Sequence, residues 1–140
     1  MAVLISRFIF SIGYRVIVHN LTAMKVMNQL NIKDAYIYAY RFLGRAYVHK
    51  KIDDLGALLG GMQMRADDST FDAAMISYWK EAVMRTTNEL SLVSELTRQQ
   101  VHSVMVSFLN EHAKLIHSEE LLQYGNSILY REWDQFMMDS

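Results

Sequence analysis

DAYIYAYRFL, residues 34 to 43, aligns without a gap on QVHSVMVSFL, residues 100 to 109. Phe42-Leu43 falls on Phe108-Leu109, and Ala35 and Ala39 fall on Val101 and Met105. In the first stretch and just beyond it, Ala35, Ala39, Phe42, Leu43 and Ala46 share one stripe at about 100° per residue, the core face of an amphipathic helix. Tyr36, Tyr40 and Tyr47 form a second stripe a quarter-turn away, while Lys33, Arg41 and Arg45 take the outer side. The segments after the two stretches also correspond. A short acid-led segment comes next, Asp53-Asp54-Leu55 in one half and Glu119-Glu120-Leu121 in the other, and then a helix with a tryptophan, Trp79 or Trp133. The second half is tighter, with 24 positions from Leu109 to Trp133 against 36 from Leu43 to Trp79. Two amphipathic helices resemble each other by chance, so the repeat is weak by itself. Two three-helix units packed together would nonetheless bury both stripes.

Helix boundaries follow from capping chemistry. Asn31 or Asp34 caps the first helix, which runs to about His49. Asp53 caps a short helix to about Leu59, on which Leu55, Leu58 and Leu59 face the core, and Gly60 or Gly61 is the left-handed residue that ends it. A loop comes after it, closing in the turn cluster Asp67, Asp68, Ser69 and Thr70. Asp72 caps a helix over about 73–88, carrying Ala74, Ile76, Tyr78, Trp79 and Val83. Thr97 with Gln100 fits a capping box for a helix over about 98–114. Ser118 starts another, with Glu119 and Glu120 favourably placed in its first turn and Gly125 stopping it, and a last helix covers about 127–138. The absence of proline and the ten methionines suit long uninterrupted helices. The expected fold is therefore all-α, about six helices in one compact domain over residues 27–140, organised as two pseudo-repeated three-helix units.

Residues 1–26 stand apart as an N-terminal extension. The first 30 residues contain no acid, Asp34 being the first. The segment MAVLISRFIFSIGYRVIV is apolar, but only seven uncharged residues separate Arg7 from Arg15, too few to span a bilayer. Arg15 also interrupts the apolar region that a signal peptide needs, and no small-x-small cleavage site comes after it. A strand pair turning near Gly13, a marginal helix, and an upstream extension ahead of a start at Met24 or Met27 all fit this composition. The sequon Asn20-Leu21-Thr22 has meaning only in a secreted protein.

Several function classes are excluded or disfavoured. With no cysteine, disulfides, thiolate zinc sites and cysteine nucleophiles are ruled out. A formal charge of −1 gives no basic excess for direct nucleic-acid binding and no basic block for a membrane surface. Gly56, Gly60 and Gly61 fit neither the P-loop, which needs Lys-Ser/Thr after its last glycine, nor a dinucleotide fingerprint, which needs a preceding strand. Gly56 costs about 1 kcal/mol against alanine in mid-helix, a cost that close approach by another helix would offset. DDSTFDAA lacks the spacing of a calcium loop. His19, His49, His102, His112 and His117 make no zinc-binding pair, and no serine sits in a nucleophile-elbow pattern. No catalytic set, cofactor or metal is called for. Trp79 and Trp133 read as core anchors. The tyrosine stripe reads first as structure, but rigid amphipathic aromatics also serve protein interfaces.

The string KDAYIYAYRFLGRAYVHKKIDDLGALLGGMQMRADDSTFDAAMISYWKEAV, within residues 31 to 83, resembles one helical family of small immunity proteins of bacterial contact-dependent growth inhibition systems. The family pattern is a helix with a small or aromatic pair and Phe-Leu, then Asp-Asp-[Leu/Ile]-Gly-x-Leu-Leu-Gly, an acidic turn Asp-x-x-x-x-Asp-Pro-Ala, and a helix with tryptophan. Here those parts are Tyr40 to Leu43, Asp53 to Gly60, Asp67 to Ala74, and Trp79. Ala73 stands where proline is usual, the second half fits less sharply through Met105, Phe108-Leu109 and Trp133, and the first 25 residues match nothing in the pattern. The resemblance implies a non-enzymatic protein that binds the C-terminal domain of a cognate toxin, often a nuclease, in the cytoplasm and blocks it. It supplies no contact residues. Residue types point to an acidic face of Asp53, Asp54, Asp67 and Asp68, with Tyr36, Tyr40 and Tyr47 nearby, facing a basic cleft. The other class that fits is a small helical adaptor or regulatory protein without a toxin partner.

Overall fold

A computed structural model describes residues 29–89 and 92–140; the expectations for residues 1–26 lie outside the described residues. The elements run β1 (Gln29–Asn31), α1 (Ile32–Lys50), α2 (Asp53–Met62), α3 (Ala74–Thr87), β2 (Glu95–Thr97), α4 (Arg98–Leu115), α5 (Glu119–Ser127) and α6 (Tyr130–Met138). The described residues form an all-α fold apart from one two-stranded ribbon. Strands of three residues carry too little alternation to stand out from loop, and none was expected here.

The repeat is built into the backbone. β1 and β2 pair antiparallel with Leu30 opposite Leu96, Gln29 opposite Thr97 and Asn31 opposite Glu95. Each residue therefore faces the counterpart of its own mirror position, so a pseudo-two-fold axis passes through the Leu30–Leu96 pair, both residues being buried. Landmarks recur in register along the two halves. Asn31 caps α1 by accepting the Asp34 N–H, and Thr97 caps α4 in a full box with Gln100. Lys51 and His117, after the two long helices, both take left-handed backbone with φ of 52° and 57°. The Tyr36 hydroxyl donates to the Met62 carbonyl at 2.7 Å, and His102 Nε2 lies 2.9 Å from the Ile128 carbonyl. A carbonyl only accepts, so His102 carries its proton on Nε2.

The tryptophans tie the units together. Trp79 donates its indole N–H to the carbonyl of Ile32, the first residue of α1, and Trp133 donates to that of Arg98, the first residue of α4. Each indole then packs edge-on against a phenylalanine of the other half: Trp79 on Phe108 at 5.5 Å and Trp133 on Phe42 at 5.6 Å. Both tryptophans are fully buried. Indole burial needs an acceptor for the N–H and apolar walls elsewhere; each half supplies its own acceptor and borrows a wall.

Capping differs from the expectation in three places. α2 runs through Gly60 and Gly61 to Met62, and no described glycine has positive φ. Gly61 instead admits the returning loop, whose Asp72 N–H donates to the Gly61 carbonyl at 3.0 Å. Asp53 is the first helical residue rather than the cap, which is Ile52. Gly125 lies inside α5, which continues to Ser127 before α6 begins at Tyr130. Ser118 does cap α5, accepting the Leu121 N–H at 3.1 Å. Asp72 accepts the Ala74 N–H at the start of α3, which ends at Thr87 before left-handed Asn88.

Two helical glycines make opposite predictions. A Cβ on Gly56 would meet the Tyr47 ring at 2.7 Å, while one on Gly125 would meet Asn110 Oδ1 at 2.8 Å and Leu109 Cβ at 3.2 Å. The Tyr47 ring is the outer end of a partly exposed side chain and can swing away; Leu109 Cβ is fixed to α4 in the core. Gly56→Ala, which gains up to about 1 kcal/mol of helix propensity, is expected to leave the urea midpoint level or raised. Gly125→Ala is expected to lower it by the equivalent of about 1–3 kcal/mol of overpacking. Equal losses at the two positions would contradict this assignment of the contacts.

Candidate partner-binding surface

The structure divides the expected acidic face in two. Asp53 is exposed and Asp54 half-buried in the first turn of α2. Neither carboxylate has a hydrogen bond or ion pair among the described residues. Their negative charge complements the positive end of the helix dipole, while Leu55, Leu58, Leu59 and Met62 hold the other side of α2 in the core. Asp67 and Asp68 lie in the loop hung from the opposite end of α2. Ten residues of α-helix rise about 15 Å, so the two pairs do not form one continuous patch along this element.

Local chemistry already occupies the loop pair. Asp67 Oδ1 accepts both the Ser69 hydroxyl and the Ser69 N–H, and these bonds, the hydroxyl's first, hold its carboxyl below the usual carboxylate range. Asp68 sits in left-handed backbone and pairs with Lys33 at the start of α1, 2.9 Å away, with both side chains largely exposed. Surface pairs of this kind contribute about 0–1 kcal/mol. They steer the loop toward α1, and Thr70 tucks beneath as a buried residue. The loop aspartates thus serve a turn and a clip.

The tyrosine stripe also separates. Tyr36 is fully buried, edge-on to Trp79 at 5.6 Å, with its hydroxyl committed to Met62. Burial first, then the neighbouring Tyr40 and Asp72, pushes its phenol well up. It belongs to the core and offers nothing to a partner. Tyr40 is half-buried, and Tyr47 is exposed with its ring over Gly56. Of the seven residues expected on the face, Asp53, Asp54 and Tyr47 remain near one another at the junction of α1 and α2 and open to solvent in part or whole.

The residues alone did not single out two clefts that flank the helix pairs. One, of about 770 Å³, lies between α1 and the α5–α6 region and includes Phe42, Arg45, Ala46, His49, Arg131 and Phe136. The other, of about 240 Å³, lies between α3 and α4 and includes Tyr78, Glu81, Arg85, Phe108, Glu111 and His112. They are counterparts under the pseudo-symmetry, Phe42 and Arg45 standing where Phe108 and Glu111 stand in the other half. The signal was present in the alignment, since Trp79 is followed three positions on by Ala82 and Trp133 by Phe136, but what that difference does depends on how α3 and α6 pack.

His112 lines the smaller cleft. Its Nδ1 is buried and has no hydrogen-bond partner among the described residues. Desolvation lowers its pKa, opposed by the negative charges of Asp72 and Asp54. Among the described residues no group of three or more metal-ligating side chains converges, and no helix is long and apolar enough to cross a membrane. No protein-family model, curated protein or solved structure matches the chain.

A folded pKa below the unfolded value means that the unfolded chain binds the proton more readily. The stabilisation from neutral His112 is therefore present above the unfolded histidine value of about 6.5 and is lost as pH falls toward and through the lower folded value. Urea unfolding at pH 7.5 and 5.5 should show a smaller pH dependence in His112→Gln than in the parent chain. An identical pH dependence would mean that His112 is solvated like an ordinary surface histidine.

Proposed function

We propose that this chain is an immunity-type inhibitor that binds and neutralises the C-terminal domain of a cognate bacterial toxin in the cytoplasm, without catalysis of its own. The observation that carries the reading is the Asp53–Asp54 pair. The Asp-Asp-Leu-Gly-x-Leu-Leu-Gly string, the part most specific to the family it resembles, folds as a helix whose leucines are packed and whose leading aspartates make no hydrogen bond or ion pair among the described residues. Such carboxylates suit the basic cleft of a nuclease domain, because charge complementarity speeds association and rejects wrong partners. Tyr47, beside them over Gly56, adds an amphipathic aromatic side chain of the kind interfaces favour. The face is narrower than residue types suggested, since Tyr36 is core and the loop aspartates are locally bonded.

An immunity gene is expected directly downstream of a large toxin gene, and the deciding experiment is co-expression with the C-terminal domain that such a gene encodes. Cells should survive with this chain and die without it; death in both cases would end the inhibitor reading. The face is tested separately. Asp53→Lys with Asp54→Lys exchanges favourable helix-dipole interactions of about 0.3–1 kcal/mol each for unfavourable ones of similar size, a cost small enough that the variant should remain folded by circular dichroism. Its association with the toxin domain should slow by about tenfold or more at low salt, with a flatter salt dependence. Unchanged association kinetics with intact protection would place the contact elsewhere on the surface.

A further inference from the structure

The two halves bury their tryptophans alike but leave different space beside them. Three residues after Trp79 stands Ala82, fully buried, and α3 lies close along α4. Three residues after Trp133 stands Phe136, which packs edge-on against Phe42 at 5.4 Å and stacks beside Trp133. A phenyl ring in place of a methyl group holds α6 away from α1. The cleft on that side is accordingly about 770 Å³ against about 240 Å³ on the other, a size within the range of ligand-binding clefts. Its floor is apolar, formed by Phe42, Ala46, Ile128 and Phe136, and its rim carries Arg45, His49, Lys50 and Arg131. The Arg45 guanidinium lies over the Phe136 ring, 5.3 Å from its centre, which sets a planar donor group beside the apolar floor.

The carboxylates in the lining are engaged. Glu132 accepts the Leu129 N–H at 3.0 Å to cap α6, and Asp139 accepts from the Gln135 amide at 3.1 Å. At the corresponding positions of the smaller cleft the charges are reversed: Glu111 stands for Arg45, and Arg85 for Asp139. Basic character on this rim is thus a property of one half and not a demand of the shared scaffold.

We propose that the cleft between α1 and α6 is a docking site for a peptide segment of a partner protein, one that carries an apolar side chain flanked by carboxylates. The apolar group seats on Phe42, Ala46 and Phe136, and the carboxylates meet Arg45, Lys50 and Arg131, with arginine able to bind a carboxylate through two parallel N–H groups. Discrete carboxylates fit better than a nucleic-acid backbone. Glu132 and Asp139 lie in the same lining and repel a uniform line of phosphates, whereas a peptide can place its charges away from them. The site stands whether or not the toxin reading holds, because it rests on neither Asp53 nor Asp54.

The test uses the full chain and two fluorescein-labelled probes. One is the peptide Gly-Ser-Asp-Glu-Leu-Phe-Glu-Asp-Gly-Ser, and the other has lysine at each acidic position. The acidic probe should bind by fluorescence anisotropy and shift the amide resonances of Phe42, Arg45, Ala46 and Phe136, while the lysine probe should not bind. Arg45→Glu with Arg131→Glu should weaken the acidic probe about tenfold or more, with an unchanged thermal midpoint; Glu111 at the counterpart of Arg45 shows that the scaffold accepts the carboxylate. Lys50→Glu, at the exposed end of α1, repeats the test without touching the Arg45–Phe136 contact. No binding of the acidic probe at millimolar concentration, equal binding of both probes, or shifts confined to other surfaces would overturn the proposal. Tighter binding of a single-stranded oligonucleotide at the same amides would overturn it in favour of nucleic acid.

Discussion

Each half of this chain closes its core with an aromatic wall from the other. Trp79 rests edge-on against Phe108, and Trp133 against Phe42. Edge-to-face aromatic pairs contribute about 0.5–1.5 kcal/mol beyond the area they bury, but the larger consequence is geometric. Each indole N–H is fixed to the first turn of its own long helix, so the orientation of α3 relative to α1, and of α6 relative to α4, is set within each half. The phenylalanines then fix the halves relative to each other. Breaking either exchange leaves a buried indole face without its wall, and the effect reaches both units at once.

The short ribbon completes that arrangement at the N-terminal ends of the two long helices, next to the carbonyls that accept the indole N–H bonds. Leu30 and Leu96 face each other on the pseudo-axis, and the next residues, Asn31 and Thr97, cap α1 and α4. Strand pairing and helix capping are therefore coupled, because a slip of one residue in the ribbon would move both caps and turn both leucines out of the core. Three-residue strands are weak by themselves. Here each is continued directly by a helix whose start it positions, so the ribbon acts as a register pin for the repeat rather than as a sheet.

Much of this was legible in the residues. Thr97 with Gln100 and Ser118 mark helix starts by side-chain chemistry that acts within three residues, and the structure forms those bonds. The 34–43 and 100–109 alignment carries over into paired buried positions, Ala35 with Val101 and Leu43 with Leu109. The illegible part depends on tertiary contact. Gly60 and Gly61 read as a helix stop because glycine is permissive of left-handed backbone, yet α2 continues through them and Gly61 is needed for room beside Asp72. Tyr36 sits on the same stripe as Tyr47, and nothing in the spacing reveals that one hydroxyl finds the Met62 carbonyl while the other ring lies at the surface. The cluster Asp67-Asp68 looks like a charged face until the Ser69 bonds and the Lys33 pair are seen.

A repeated scaffold also separates what the fold requires from what it merely allows. Positions that carry the fold keep their role across the two halves even where the residue changes: Tyr36 and His102 both bond the carbonyl that ends the following short helix, and Lys51 and His117 both accept left-handed backbone. Other positions diverge without disturbing that frame. The first half inserts residues 63–73 where the second has only Ile128 and Leu129 between helices, and the two clefts differ in volume and reverse charge at Arg45 against Glu111. The shared frame thus accepts either charge and either cleft size at these positions, as the two halves show side by side.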